Sequence, residues 1–189
     1  MRRCKTCGTR YEPTRPLQTA CGLACALIQA TQARLKKEAK ADKAKREKLK
    51  SRATWMKEAQ AAANAYVRKR DEGLPCISCG RHHQGQNHAG HYLSRGAHPE
   101  LSLDSRNIHL QCAPCNTYLS GNQINYRNGL IKRYGQSLVD WLEGPHEFRK
   151  YTIAQLKIIA SEYKIATRLF KEQGNARNLE SGCWLRIEV

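Results

Sequence analysis

No apolar run in this chain approaches the ~20 residues needed to span a bilayer, and nothing in its opening resembles a secretory leader. The N-terminus is basic, but Cys4 and Cys7 follow at once where an apolar signal core would stand. A membrane span and secretion are therefore not expected. Acidic residues are scarce: 16 Asp and Glu stand against 33 Lys and Arg, a formal charge of +17 and a pI near 9.7. Such an imbalance suggests a polyanionic partner, of which nucleic acid is the commonest and an anionic membrane surface the alternative. Glycine and proline are missing altogether from Leu23 to Glu72, so no backbone breaker interrupts that stretch. It also lacks a clean a/d repeat, which gives little support to a coiled coil.

What the chain does have is cysteine, in pairs. Eight of its nine cysteines form four close pairs: Cys4/Cys7, Cys21/Cys25, Cys76/Cys79 and Cys112/Cys115, with Cys183 left over. Such spacing is typical of metal knuckles rather than a disulfide framework. Cys4-x2-Cys7, a spacer of 13 and Cys21-x3-Cys25 offer four thiolates, a complete tetrahedral set for a structural Zn²⁺. So short a segment has almost no apolar core, and metal binding must supply its folding energy. Cys76, Cys79, Cys112 and Cys115 make a second such set.

The glycine-free stretch is rich in Ala, Lys, Arg, Glu and Gln, all good helix formers. It divides in two. Ten basic residues, Arg34, Lys36, Lys37, Lys40, Lys43, Lys45, Arg46, Lys48, Lys50 and Arg52, stand among three acidic ones and suggest a DNA-backbone contact surface on a solvated helix. Beyond them Trp55, Ala59, Ala62 and Tyr66 recur at helical spacing and are fit to pack on a core. Gly73-Leu-Pro75 ends the helix.

The 32 residues between Cys79 and Cys112 hold six of the seven histidines: His82, His83, His88, His91, His98 and His109. They are too polar to be a core, and histidine both binds metals and moves protons near neutral pH. His82, His83, His98 and His146 read as exposed or loop residues. Downstream, Tyr118–Tyr134 and Ser137–Leu142 read as helices and Gly144-Pro145 breaks the chain. Thr152 and Gln155 form a capping-box pattern before a helix carrying Ile153, Leu156, Ala160, Tyr163, Thr167 and Phe170 on one face and ending at Gly174. The tail from Asn175 is expected to be weakly ordered.

The order of features resembles the zinc-stapled HNH (ββα-metal) nucleases. The residues that carry the resemblance are Cys76-x2-Cys79, His91 in Ala89-Gly90-His91-Tyr92, Asn107 five residues before Cys112, and Asn116 directly after Cys115. It implies that His91 is the general base, that Asn107 fixes the loop and orients the base, and that Asn116 binds a catalytic Mg²⁺ or Mn²⁺. One departure stands out: Gly90 occupies the place where the family usually has a metal-binding Asp. His88 is the first candidate to replace it and His109 the reserve. Arg95, with Arg106 as a second candidate, would clamp the scissile phosphate.

The whole chain is similar to the NinG (Rap) recombination proteins of lambda-like phages, through those motifs together with Gln111-Cys112 and Leu119-Ser120-Gly121-Asn122. That resemblance implies an endonuclease acting on branched recombination intermediates, such as D-loops and Holliday junctions, in the cytoplasm of a host bacterium, with a homodimer as one possible form. The expected fold is mainly α with small zinc-bound β elements. A Cys4 module spans 1–26, a long basic helix 27–72, an HNH-like core 73–134 and a C-terminal helical region 135–189. Two alternatives stay open: a non-catalytic zinc protein that binds nucleic acid, and a site-specific HNH nuclease of homing or restriction type.

Overall fold

The computed structural model describes residues 1–172. Cys183, Gly174 and the tail from Asn175 lie outside the described residues. The fold is mainly helical, with two small antiparallel sheets and two cysteine clusters. The chain divides into two compact units, Met1–Lys50 and Ser51–Val189. No helix among the described residues is long and apolar enough to cross a membrane.

In the first unit, strands β1 (Arg2–Arg3) and β2 (Arg10–Tyr11) pair around the first knuckle. Gly8 closes it with φ +76°, a left-handed conformation that a residue with a Cβ resists. Its N–H donates to the Cys4 carbonyl at 2.9 Å. Helix α1 (Leu23–Leu49) then leaves the cluster. The Gln29 amide joins the two, donating to Thr6 Oγ1 at 2.9 Å and accepting from Thr19 Oγ1 at 2.7 Å. Helix α1 has 27 residues and no buried one, so it is a solvated rod about 40 Å long.

The stretch 27–72 is not one helix. It breaks at Lys50–Ser51, both in extended conformation, and α2 (Arg52–Arg70) belongs to the second unit. The cause is local: Ser51 is an N-cap, its Oγ accepting from the Thr54 N–H at 3.2 Å. Trp55, Ala59, Ala62, Ala63, Tyr66 and Val67 are buried, as their spacing requires.

Helix α5 (Ile153–Glu172) packs on α2. It starts with a reciprocal capping box: Thr152 Oγ1 accepts from the Gln155 N–H, and Gln155 Oε1 from the Thr152 N–H. Leu156, Ile159, Ala160 and Tyr163 join the α2 side chains, Leu103 and Ile108 in one core. Ile153, by contrast, is exposed. A second core joins Ile77, Tyr92 and Leu101 to α3 (Gln123–Tyr134) and α4 (Gln136–Glu143) through Tyr126, Leu130, Val139 and Leu142.

The expected helix from Tyr118 is displaced. Pro114–Tyr118 forms one π-helical turn, and α3 starts only at Gln123. Ser120, Gly121 and Asn122 between them all have positive φ, which ends the helical path. This turn is tied to the second cysteine cluster: the Gly121 N–H donates to the Cys115 carbonyl at 3.0 Å, and Asn122 Nδ2 to Cys115 Sγ at 3.4 Å.

Between the two cores lies the sheet of β3 (Asn87–His91) and β4 (Ile108–Cys112), in the register His88↔Gln111, Gly90↔His109 and His91↔Ile108. Arg70 and Asp71 staple α2 to β4. Asp71 accepts from the Leu110 N–H at 2.9 Å, and Arg70 donates to the Ser105 and Ile108 carbonyls at 2.9 and 2.8 Å. The two side chains pair bidentately at 2.6 and 2.8 Å, so neither charge is buried alone.

Candidate functional site

The sulfurs of Cys76, Cys79, Cys112 and Cys115 all lie within 4.8 Å of one another, as do those of Cys4, Cys7, Cys21 and Cys25. Zn–S bonds of about 2.3 Å place tetrahedral sulfurs about 3.8 Å apart. The separations Cys79–Cys112 (3.9 Å), Cys7–Cys21 (3.5 Å) and Cys21–Cys25 (3.7 Å) fit that geometry. Both clusters can therefore hold a zinc ion. The second knuckle repeats the first, with the Gly80 N–H donating to the Cys76 carbonyl at 2.9 Å and φ +66° at Gly80. Hydrogen bonding from the Cys7 backbone N–H is the largest influence on the Cys4 thiol and brings it down to about 5. Cys79 falls to about 6: burial opposes this, and the Arg81 backbone N–H and His83 outweigh it. In the same clusters Cys25 is pushed up to about 12 by the neighbouring Cys21 thiol and Cys112 to about 12 by burial, so each cluster mixes depressed and raised thiols.

With its ends held at Cys76–Cys79 and Cys112–Cys115, the segment between folds into the β3–β4 pair and the connection joining them. Alternation along β3 puts His88 and Gly90 on one face, and Ala89 and His91 on the other. His88 and Asn116, 28 residues apart, meet directly: Asn116 Nδ2 donates to His88 Nδ1 at 2.9 Å. Both line an open cavity of about 570 Å³ with Asn64, Arg68, Gln86, Asn87 and Ala89.

His91, on the other face, has Nε2 at 3.0 Å from the Ser102 carbonyl. A carbonyl only accepts, so Nε2 carries the proton and the neutral ring keeps its Nδ1 lone pair. Burial pushes His91 down to about 4; the Ser102 contact opposes the shift, and the positive charge of Arg95 adds to it. The ring is therefore neutral at pH 7. Gln60 Nε2 of α2 lies 3.4 Å from the same nitrogen; with the proton on His91 Nε2 both atoms are donors, so this approach is no hydrogen bond. Asn107 is fully buried and holds the chain just beyond the histidine. Its Oδ1 accepts from the Leu93 N–H at 2.8 Å, and its Nδ2 donates to the Leu93 and Leu101 carbonyls at 2.9 and 3.2 Å.

Arg95 is exposed in the connection after β3. Arg106 is committed elsewhere: it pairs bidentately with Asp104 at 2.9 and 2.6 Å and lies 3.5 Å over the Trp141 ring. His109 is fully buried, its Nδ1 at 3.1 Å from the Tyr126 hydroxyl, and does not line the cavity. Its burial lowers its proton affinity strongly. His82 is exposed, while His83 is half-buried with Nε2 3.3 Å from Cys79 Sγ. His98 pairs with Glu100 at 3.1 Å, and His146, expected at the surface, is half-buried against Trp141. Arg34, Lys36, Lys37, Lys40, Lys43, Lys45, Arg46 and Lys48 are exposed along α1, Lys50 is partly covered beside Glu47, and Arg52 is exposed in the second unit.

Sequence reasoning passed over four residues that build the site. Gln60 lies beside the His91 ring, and Arg70 with Asp71 fixes β4. Gln111 fills the space beside Gly90, where an added Cβ would lie 2.1 Å from its Oε1. Gln111 was visible as the residue before Cys112, but nothing in a linear string shows which way its amide turns.

The model of the family described as Bacteriophage Lambda NinG protein matches residues 1–173. The chain is 39% identical over 197 residues to Protein ninG of Escherichia phage lambda, covering 94% of this chain and 95% of that one. It is 39% identical over 183 residues to Protein ninG of Salmonella phage P22, covering 86% and 90%. It is 37% identical over 195 residues to Protein ninG of Escherichia phage 933W, covering 94% and 96%. No solved structure gives a significant match.

Proposed function

The chain belongs to the NinG family of lambda-like phages, and on that premise we propose that it is a divalent-metal-dependent DNA endonuclease with an HNH-type (ββα-metal) core. In this reading it hydrolyses phosphodiesters in branched recombination intermediates such as D-loops and Holliday junctions. The observation that carries the reading is the direct contact between Asn116 and His88 at a cavity wall; His91, neutral and fixed in tautomer, lies on the other face of β3.

The roles of the residues are carried over from the HNH resemblance. Water is a poor nucleophile at neutral pH, and His91 Nδ1 accepts its proton as the oxygen attacks phosphorus. The bond to the 3′ oxygen breaks, leaving a 3′-hydroxyl and a 5′-phosphate. His88 and Asn116 would hold the divalent ion, whose contribution when bound is to stabilise charge on the departing oxygen. Arg95, exposed beyond β3, would reach toward the phosphate. Asn107 keeps the segment after His91 from shifting, so that the base stays aligned.

A second reading has its own support. Helix α1 buries nothing and carries eight basic residues, Arg34 to Lys48, against Glu38, Asp42 and Glu47. A non-catalytic zinc protein binding nucleic acid would also need such a surface. One gel separates the two. Purified protein is incubated with a four-way junction, a flap, a three-stranded branch and linear duplex, each with Mg²⁺, Mn²⁺ or EDTA. Metal-dependent cutting of branched DNA that is lost in a folded His91→Ala variant is expected. Binding without cutting selects the second reading, and preferential cutting of linear duplex selects a site-specific nuclease.

A further inference from the structure

Gly90 leaves the hydrolytic site short of a ligand, and β4 offers one. Gln111 lies on the same face of the β3–β4 pair as His88 and Gly90, directly opposite His88. Its side chain is fully buried. Nε2 donates to the Gly121 carbonyl at 2.5 Å and to Ser78 Oγ at 2.7 Å. Because a carbonyl only accepts, the amide cannot turn over without setting oxygen against oxygen. Oε1 is therefore forced to the opposite side, toward Gly90. There it is buried without a hydrogen-bond partner, a costly state for an amide oxygen.

Oε1 occupies the space that a side chain at position 90 would fill, and like Gly90 it is not among the residues lining the cavity beside His88 and Asn116. An ideal Cβ on Gly90 would lie 2.1 Å from Gln111 Oε1 and 3.1 Å from Asn116 Oδ1. A side chain at 90 and the Gln111 amide thus exclude one another. Two amide oxygens border that point, and Asn116 also touches His88. Amide oxygens grouped with an imidazole are a donor set for Mg²⁺ or Mn²⁺.

We propose that Gln111 supplies, from the neighbouring strand and through Oε1, the divalent-cation ligand that residue 90 lacks. The inference rests on the hydrolytic reading of the His88–Asn116 site. It also gives the structural zinc cluster a part in the site. Ser78 lies inside the Cys76–Cys79 knuckle, and the Gly121 turn is bonded to Cys115. The cluster therefore aims the Gln111 amide.

The test is Mn²⁺ binding to the full-length, zinc-loaded protein, followed by electron paramagnetic resonance of the free ion. It compares wild type, Gln111→Met, Gln111→Ala and the double variant Gly90→Asp/Gln111→Ala. Zinc content and thermal melting report folding, and cleavage of a four-way junction is assayed in parallel. Wild type is expected to bind one Mn²⁺. Both single variants should bind at least about tenfold more weakly, and the double variant should regain affinity. Both Gln111→Ala and the double variant lose the bonds to Ser78 and Gly121, so a purely structural role for Gln111 predicts no rescue. The proposal is overturned if Gln111→Met binds as wild type does, if the double variant stays as weak as Gln111→Ala, or if wild type binds no Mn²⁺. A wild type that shows the expected binding pattern yet cuts no DNA refutes the hydrolytic reading and leaves the ligand assignment standing.

Discussion

Acidification should unfold this protein partly through His91, by an amount that can be worked out. In an unfolded chain a histidine titrates near 6.5, whereas burial holds His91 near 4. Between those values the unfolded chain binds the extra proton and the folded one does not, so stability falls as the pH is lowered. The contribution is fully present above about 6.5 and is lost progressively down to about 4. Each pH unit inside the window is worth about 1.4 kcal/mol, so lowering the pH from about 6.5 to about 5 should cost about 2 kcal/mol. His109, also depressed by burial, acts in the same direction, and thiolate protonation weakens zinc binding as the pH falls. A difference measurement removes both. Urea unfolding of wild type and His91→Gln is followed at several pH values from about 7 to 5. A glutamine cannot titrate, and its amide can still donate to the Ser102 carbonyl. The gap between the two proteins should change by about 2 kcal/mol across the range, with wild type losing more. Parallel stability curves would show that the imidazole titrates normally, and the reasoning about its burial and its neutral form would fail.

Gly129→Ala should destabilise the second unit markedly, because a Cβ there would lie 1.9 Å from the Ile77 carbonyl oxygen, a backbone atom. A cost of roughly 1–3 kcal/mol or more is expected, read as a lower melting temperature with weaker retention of the knuckle zinc. Asp71→Ala leaves the largely buried Arg70 without its carboxylate and the Leu110 N–H without its acceptor. It should cost about 3–5 kcal/mol in urea titrations. Zinc analysis should find two ions per chain. A strong chelator should abolish the fold of the first unit, measured by proteolysis of the N-terminal 50 residues, since that unit has almost no apolar core of its own. Replacing Lys36, Lys37, Lys40 and Lys43 with Gln should reduce the slope of log affinity for duplex DNA against log salt by about 0.9 for each phosphate no longer neutralised; an unchanged slope would remove α1 from the interface.

The local features read most clearly. The four cysteine pairs, the capping box at Thr152–Gln155 and the buried faces of α2 and α5 follow from spacing alone, because knuckle turns, caps and helix periodicity each involve only a few neighbouring residues. Less legible were the breaks. The turn at Ser120–Asn122 looks helix-compatible in sequence, but its positive φ angles are held by bonds to Cys115, part of the second cysteine cluster. Arg106 looked free to bind phosphate, and only its neighbours Asp104 and Trp141 show that it is engaged.

By itself the sequence determined that this chain makes two thiolate clusters, an exposed basic helix and a histidine-rich segment held between two knuckles. Those outcomes depend on ligand chemistry, net charge and short-range spacing. Tertiary structure decided which of the polar residues meet. It set Asn116 on His88, placed His91 on the opposite face against Ser102 and Gln60, and turned the Gln111 oxygen toward Gly90. The physical reason is that strand register and the amide orientation of a buried glutamine are fixed by partners distant in the chain. The Gly121 carbonyl settles where Gln111 Oε1 must point, and no pattern of residue types encodes that bond.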